Sequence, residues 1–165
     1  MYPFDAKTIH AVSHFFFKIK LKYIGYIFSF LNYLLHNSWI PPMCEIGEDT
    51  KFGKWGIGVV IHERSKIGKH CLIGQGITIG GKSGVYDVPI IMDNVFIGPG
   101  ARIIGDIKIG HDSIIGANAV VVKDVKPFSV ITGIPGKCVD YINKDNYDKK
   151  YKYYYGPKIY RKNGD

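Results

Sequence analysis

The sequence lacks paired cysteines and any cluster with metal-ligand spacing. Its three cysteines, Cys44, Cys71 and Cys138, lie far apart and form no Cys-x-x-Cys pair. No histidines or carboxylates are grouped at the intervals that a bound metal requires. Isolated thiols in odd number are typical of proteins from a reducing compartment. We therefore expect no disulfide framework, no metal and a cytoplasmic location.

A long hydrophobic run is also missing. The most apolar stretch, residues 23–35, is too short to span a bilayer and follows Lys18, Lys20 and Lys22. The N-terminus does not show a signal peptide's order of basic, apolar and small residues. We expect this stretch to pack against the body of the protein. The alternative is an amphipathic helix in peripheral contact with the inner face of the membrane.

Acidic residues are few relative to basic ones. Asp and Glu number 14 against 22 Lys and Arg, which gives a net charge of +8. Such a balance attracts polyanions. Residues 149–162 concentrate lysine and tyrosine, a pattern that also occurs in RNA-binding tails. Because no RNA-binding motif accompanies it, we expect no nucleic-acid partner. A surface strand, or packing on a neighbouring subunit, accounts for this tail.

Glycine, in contrast, is abundant, and its placement is periodic. Every sixth residue from position 61 is Ile or Val, and glycine often follows directly. The set comprises Ile61, Ile67, Ile73, Ile79, Val85, Ile91, Ile97, Ile103, Ile109, Ile115 and Val121. A period of six fits neither a 3.6-residue helix nor a two-residue strand alternation. It predicts an all-β repeat, a parallel β-helix in which three six-residue units form one coil.

Departures from the period set the predicted boundaries. An earlier copy of the rhythm slips by three residues near Trp55, and residues 81–88 predict a loop projecting from one corner. We expect a helical segment of one or two helices over residues 1–38 and the repeat domain over residues 39–126. Residues 127–165 are expected to form an irregular C-terminal extension, because Lys126-Pro127 and Gly133-Ile-Pro-Gly136 indicate turns.

Residues 40–140 resemble the hexapeptide-repeat acyltransferases. The resemblance is to the serine-acetyltransferase-like branch, which includes many capsule and lipopolysaccharide O-acetyltransferases. It rests on the following segments: Gly58-Val-Val-Ile61, Ile73-Gly-Gln-Gly-Ile-Thr-Ile-Gly-Gly81, Val88-Pro-Ile-Ile91, Ile97-Gly-Pro-Gly-Ala-Arg-Ile-Ile-Gly105, Ile115-Gly-Ala-Asn-Ala-Val-Val-Val-Lys-Asp124 and Gly133-Ile-Pro-Gly-Lys137. The resemblance implies a left-handed helix, a homotrimer, and active sites in clefts between subunits.

It also implies acetyl-CoA as the donor. Positions matching Pro99 and Ala117 lie one coil apart and line the pantetheine arm through backbone groups. Those matching Lys123 and Lys137 contact the CoA phosphates. Proline at position 99 has no amide hydrogen, so a contact there would have to use its carbonyl. The alternative for both lysines is an ordinary exposed surface position.

Acetyl transfer to a hydroxyl requires a base and donors for the developing oxyanion. His62 is our candidate base, because one coil further along lies Gly80, at the root of the predicted loop. Asp87 or Glu63 is the candidate to orient its imidazole, and an amide of Gly80 or Gly81 the candidate oxyanion donor. A corner histidine that binds a carbonyl is the structural alternative. His111, in a Gly-His-Asp setting known from sugar N-acyltransferases of this superfamily, is the rival base.

The chain departs from the serine-specific branch at two positions. Where that branch has histidines, this sequence has Lys54 or Trp55, and Val88. Trp55 suits either stacking on a sugar ring or burial in the core. We therefore expect O-acetylation of a sugar or polysaccharide-precursor hydroxyl. The alternatives are serine O-acetylation, acetylation of a sugar amine, and a β-helix without enzymatic activity.

Overall fold

Two short helices precede a three-faced parallel β-helix. The computed structural model describes residues 4–143 and 145–148, so the tyrosine- and lysine-rich tail lies outside the described residues. Helix α1 spans Ala6–Lys18 and helix α2 spans Lys22–His36. Both fall in the predicted helical segment. No helix in the described part of the chain combines the length and the apolar character needed to cross a membrane.

The strands form three sheets, which we name faces A, B and C. Face A contains β1 (Glu45–Ile46), β4 (Lys66–Ile67), β7 (Ile90–Ile91) and β10 (Lys108–Ile109). Face B contains β2 (Lys51–Phe52), β5 (Leu72–Ile73), β8 (Phe96–Ile97), β11 (Ile114–Ile115), β13 (Ser129–Thr132) and β14 (Lys137–Tyr141). Face C contains β3 (Val60–Ile61), β6 (Thr78–Gly80), β9 (Arg102–Ile104) and β12 (Val120–Val121).

The chain runs through faces A, B and C in turn, so each coil has three corners. All pairs are parallel except that of β13 with β14. This architecture confirms the prediction of a left-handed parallel β-helix.

Strand register shows how the repeat tolerates its two irregularities. Val60 pairs with Thr78, an offset of 18 residues, as a regular coil requires. Glu45 pairs with Lys66, an offset of 21. The slip near Trp55 is therefore accommodated in a 3₁₀ turn at Gly53–Gly56. Thr78 pairs with Arg102, an offset of 24, because the loop adds six residues. The predicted loop is confirmed.

The aliphatic residues at the six-residue period form the core of the protein. All of these positions except one are at most 3% exposed, whereas Val85, within the loop, is 39% exposed. Each buried Ile stacks on its counterpart in the next coil, as Ile79 does on Ile103. Burial of one such side chain is worth roughly 1.5–3 kcal/mol. The same period that identifies the fold thus supplies its main stabilising contacts.

Beyond residue 126 the structure differs from the prediction. Strand β13 continues face B in parallel with β11, and β14 turns back against it as an antiparallel hairpin. The expected irregular extension is therefore ordered up to Tyr141, and the repeat sheet outlasts the predicted boundary. The physical reason is that β14 turns back and pairs with the exposed backbone groups of β13. An antiparallel pair of this kind does not require the six-residue period.

Candidate active site

His62 lies at the corner between faces C and A, beside the root of the loop. Its amide donates to the Ile79 carbonyl at 2.8 Å. A Cβ placed on Gly81 would meet the His62 ring at 3.6 Å (Cδ2) and 3.8 Å (Nε2), and Val88 at 3.4 Å. The predicted adjacency of His62 and the loop is therefore present. Val88, at one of the positions where the serine-specific branch has a histidine, lies against the same glycine.

A backbone hydrogen bond reaches the ring of His62. The Arg64 amide donates to His62 Nδ1 at 3.2 Å. Because Nδ1 accepts this bond, the proton of the neutral ring resides on Nε2. In that tautomer Nε2 is a donor and not a base. The role of His62 as general base stays a prediction, and this geometry adds the alternative that Nε2–H acts as a donor.

Asp87 does not contact His62. The residue is exposed on the loop, and within residues 4–143 the only hydrogen bond to the His62 ring is the one from Arg64. Glu63 makes no bond to it either. Orientation of the ring thus comes from a backbone amide, and a role for Asp87 stays a prediction.

Arg64 is a residue that the sequence analysis missed. Its Nη2 donates to the Tyr86 carbonyl, and its guanidinium carbon lies 4.0 Å from the Tyr86 ring centroid. The side chain therefore connects the loop to the corner that carries His62. Its Nε is buried and without a partner among the described residues. No periodic signal marks Arg64, because the contact depends on the reach of one long side chain.

The amide of Gly81 adds a donor at this corner. The Gly80 carbonyl accepts from Gly105 at 2.9 Å, so Gly80 belongs to the coil ladder. The Gly81 N–H, one residue further, donates to no other residue in the described part of the chain. Gly81 N–H and His62 Nε2–H are thus two donors at the loop root.

The expected pantetheine residues lie at a different corner, between faces B and C. Pro99 and Ala117 are both exposed and stacked, since the Asn118 amide donates to the Pro99 carbonyl at 2.9 Å. That bond occupies one lone pair of the Pro99 carbonyl, which is the group expected to contact CoA. The Ala117 amide makes no bond to another described residue. Arg102, which the sequence analysis also missed, donates at this corner to the Gly76 carbonyl at 2.5 Å.

The two expected phosphate ligands lie apart. Lys123 follows β12 at the corner that carries His62. Lys137 follows Gly136, whose amide donates to the Val120 carbonyl at 2.7 Å, beyond the corner of Pro99 and Ala117. Both lysines are exposed. One chain therefore divides the predicted site between two corners, with His62, Gly81, Asp87 and Lys123 at one and the other three residues at the next.

The remaining histidines have structural partners. His111 lies at the third corner, where Nδ1 is 2.7 Å from Asp112 Oδ2 and the ring meets Phe128 edge-on at 5.0 Å. His10 and His14 bond the carbonyls of Cys44 and Pro42. None of them faces the loop. These contacts favour structural roles and leave His62 as the histidine of the candidate site.

The two buried thiols are not candidates for nucleophilic chemistry at the site. Burial raises the pKa of Cys44 to about 12 and that of Cys71 to about 11, so neither is a thiolate nucleophile at neutral pH. Within the residues that the structure describes, no group of three or more His, Cys, Asp or Glu is arranged to hold a metal ion.

Comparisons with known proteins agree with this geometry. A family model described as bacterial transferase hexapeptide (six repeats) matches residues 89–123. A serine acetyltransferase of Synechococcus elongatus is 38% identical over 141 residues, which cover 84% of this chain and 57% of that protein. One of Bacillus subtilis is 36% identical over 132 residues, covering 79% and 60%.

Solved structures give the same result. The serine acetyltransferase of Brucella abortus in complex with coenzyme A has a TM-score of 0.80 at 26% identity, covering 84% of this chain and 56% of that one. The Neisseria gonorrhoeae enzyme in complex with serine has a TM-score of 0.75 at 32% identity, covering 80% and 54%. The chain spans a little over half the length of these relatives. In sequence and in fold it is similar to the hexapeptide-repeat acyltransferases of the serine-acetyltransferase-like branch.

Proposed function

We propose that the protein transfers an acetyl group from acetyl-CoA to the hydroxyl of L-serine. The observation that carries this proposal is the similarity of the helices and coils to serine acetyltransferases, among them structures in complex with coenzyme A and with serine. The relatives favour serine over the sugar acceptor that the sequence departures suggested. The donors at the loop root suit the chemistry that either acceptor requires.

In the proposed reaction the acceptor oxygen attacks the thioester carbonyl carbon. A C–O bond forms, negative charge develops on the carbonyl oxygen, and the C–S bond then breaks. His62 Nε2–H and the Gly81 amide are the proposed donors to that oxyanion. Asp87, exposed on the same loop, is the proposed acceptor of the hydroxyl proton, which passes to the sulfur and leaves as the CoA thiol. No covalent enzyme intermediate is needed, because the thioester is already activated.

The CoA arm is proposed to run past Pro99 and Ala117. Since the Pro99 carbonyl already accepts from Asn118, the Ala117 N–H is the better placed donor to the pantetheine amide. Lys123 and Lys137, both exposed, are the proposed phosphate ligands. These residues occupy two corners of one chain, so we propose a homotrimer in which each cleft combines the two corners from adjacent subunits.

A sugar hydroxyl is the second candidate acceptor. It is favoured by the side chains at two places where the serine-specific branch has a histidine: Lys54 or Trp55, and Val88. Trp55, 53% exposed, offers an aromatic face of the kind on which sugar rings stack. The acceptor pocket of this chain therefore differs from that of the serine-specific branch at these positions.

The acceptor is tested by CoA release from acetyl-CoA against L-serine, free sugars, nucleotide-linked sugars and capsule oligosaccharides. Turnover with serine and not with the sugars is the expected result. Sugar-dependent turnover without serine turnover would move the protein to the glycan acetyltransferases. Failure to bind or consume acetyl-CoA with any acceptor would indicate a β-helix without this activity.

The role of His62 is tested by two substitutions. His62→Ala removes the donor, and we expect a loss of about 100- to 1,000-fold in kcat/KM. Glutamine places an N–H near the position of Nε2, so His62→Gln is expected to stay within roughly tenfold of wild type. Equal losses in the two variants would instead favour His62 as the general base, since glutamine cannot accept a proton at neutral pH. His111→Ala, at the third corner, is the control and should retain activity.

A further inference from the structure

Helix α2 is amphipathic, but its small and polar side faces the protein and its apolar side faces outward. Its buried positions are small or polar and lie along one stripe: Gly25, Ser29, Asn32 and His36. The opposite stripe is large, apolar and exposed: Tyr23 (76%), Ile27 (65%), Phe30 (54%) and Leu34 (63%). A helix that packs on a water-soluble body normally shows the opposite arrangement.

Hydrogen bonds replace apolar burial where α2 meets the rest of the protein. Ser13 Oγ donates to the Gly25 carbonyl at 2.8 Å and lies 3.0 Å from Ser29 Oγ. Ser29 in turn donates to the Ile40 carbonyl, and Asn32 to the Ala6 carbonyl. Close contact through small residues with polar bonds between helices, and apolar side chains outside, is the packing of helices in an apolar surrounding.

The exposed apolar face extends over both helices and the turn between them. Phe15, Ile19, Leu21, Leu31 and Leu35 are each between 38% and 58% exposed. Large apolar side chains exposed in this number on one hairpin mark a contact site and not ordinary surface. The two helices therefore contact each other largely through small and polar residues, and the hairpin presents large apolar side chains outward.

The charges around this face identify its partner. Residues 6–44 contain Lys7, Lys18, Lys20 and Lys22 and no Asp or Glu. Lys18, Lys20 and Lys22 are exposed at the turn of the hairpin. A second copy of the hairpin would bring like charges together, and so would residues 149–165, which contain six Lys or Arg and one Asp. An anionic lipid surface provides both the apolar phase and the opposite charge.

We infer that the α1–α2 hairpin docks the protein on an anionic membrane surface, with the exposed face of α2 in the boundary of the acyl chains. Helices of 13 and 15 residues are about 20 and 22 Å long, shorter than the hydrocarbon core, so the hairpin lies along the surface. Tyr23, Tyr33 and Trp39, 40–76% exposed, suit the headgroup level. The inference goes beyond acetyl transfer and places that reaction at a lipid surface.

The test is cosedimentation of the full chain with vesicles of equimolar phosphatidylcholine and phosphatidylglycerol, compared with phosphatidylcholine alone. We expect binding to the anionic vesicles that weakens with salt. The Phe30→Gln/Leu34→Gln variant should bind about tenfold or more weakly, since two apolar anchors are lost. Lys18→Gln/Lys20→Gln/Lys22→Gln should lose roughly fivefold per lysine on the anionic vesicles.

The matched control is Ile134→Gln/Val139→Gln, which changes two exposed apolar residues far from the hairpin, 74% and 60% exposed. It should bind like wild type. Absence of wild-type binding, or equal binding by the Phe30/Leu34 variant and wild type, would overturn the inference. A Phe30/Leu34 variant that instead changes the mass measured by light scattering, without vesicle binding by wild type, would assign the face to contacts between copies. Because none of these residues belongs to the proposed catalytic site, acetyl transfer in solution reports separately on the proposed function.

Discussion

One buried histidine makes the free energy of unfolding of this protein depend on pH. His10 is 3% exposed on α1, and its Nε2 lies 3.1 Å from the Cys44 carbonyl. Burial, with a smaller contribution from nearby His14, lowers the pKa of His10 from 6.5 to about 4. The ring is therefore neutral in the folded state over a pH range in which the unfolded chain binds a proton.

The sign of the effect follows from this difference. Stability due to neutral His10 is fully present above the unfolded pKa, falls as pH decreases from 6.5 towards 4, and stays constant below. We expect a loss of about 2 kcal/mol in the free energy of unfolding between pH 7 and pH 5 from this residue alone. Urea unfolding of wild type and His10→Gln measures it, because glutamine retains an N–H donor without titrating. A pH dependence unchanged by the substitution would contradict the assignment.

Residue positions were predictable from the sequence where the period defines them. His62 is found at the loop root because the coil length places it beside Gly80, and Pro99 and Ala117 stack for the same reason. The hydrogen bond to the His62 ring was not predictable, since it comes from the Arg64 amide two residues later along the chain. The contact of Arg64 with Tyr86 was missed because a side-chain bond across 22 positions leaves no periodic trace.

At the scale of the coil, close approach of neighbouring turns decides which glycines are required. A Cβ on Gly98 would lie 2.5 Å from the Ala117 amide nitrogen, a backbone atom of the next coil. The nearest atom to a Cβ on Gly53 is 3.6 Å away, an ordinary contact. Neither glycine has a positive φ, so the two positions differ in space and not in backbone strain.

We therefore expect Gly98→Ala to destabilise the protein by about 3 kcal/mol, because the coils must separate to admit the methyl group. Gly53→Ala should change stability by less than about 0.5 kcal/mol. Thermal unfolding of the two variants at equal protein concentration measures the difference. Similar melting temperatures would show that the coils separate more easily than the contact distances indicate.

The elements divide in the same way into predictable and unpredictable ones. Strands β3 to β12 follow from the period, and the loop and the three-residue slip follow from breaks in it. Strands β13 and β14 were missed because Ile114 pairs with Val130, an offset of 16 that leaves the period. An amphipathic α2 was only the alternative in the sequence analysis, since spacing alone does not show which side of the helix meets the body.

At the scale of the whole molecule, our proposal places the site between copies of the chain. His62, Gly81 and Asp87 lie at one corner of the coils, and Pro99 and Ala117 lie at another. A corner-to-corner cleft between adjacent subunits brings one set from each copy together. A site within one chain would instead have to extend across a full face of the helix.

Mixed oligomers distinguish these arrangements. His62→Ala inactivates one corner, and Ala117→Trp obstructs the other by adding a bulky side chain at an exposed position. Each variant alone should have little activity. Co-expression of the two should restore about a quarter of the wild-type rate, because some clefts then combine an intact corner from each copy.

The control is wild type co-expressed with the double variant His62→Ala/Ala117→Trp, which contains the same substitutions on one chain. If clefts are shared between subunits, the two mixtures have equal activity, since only the pairing of corners matters. If each site lies within one chain, only the control mixture is active, at half the wild-type rate for equal amounts of the two chains. That result would contradict the shared site, whereas equal activities and a trimeric mass by light scattering would support it.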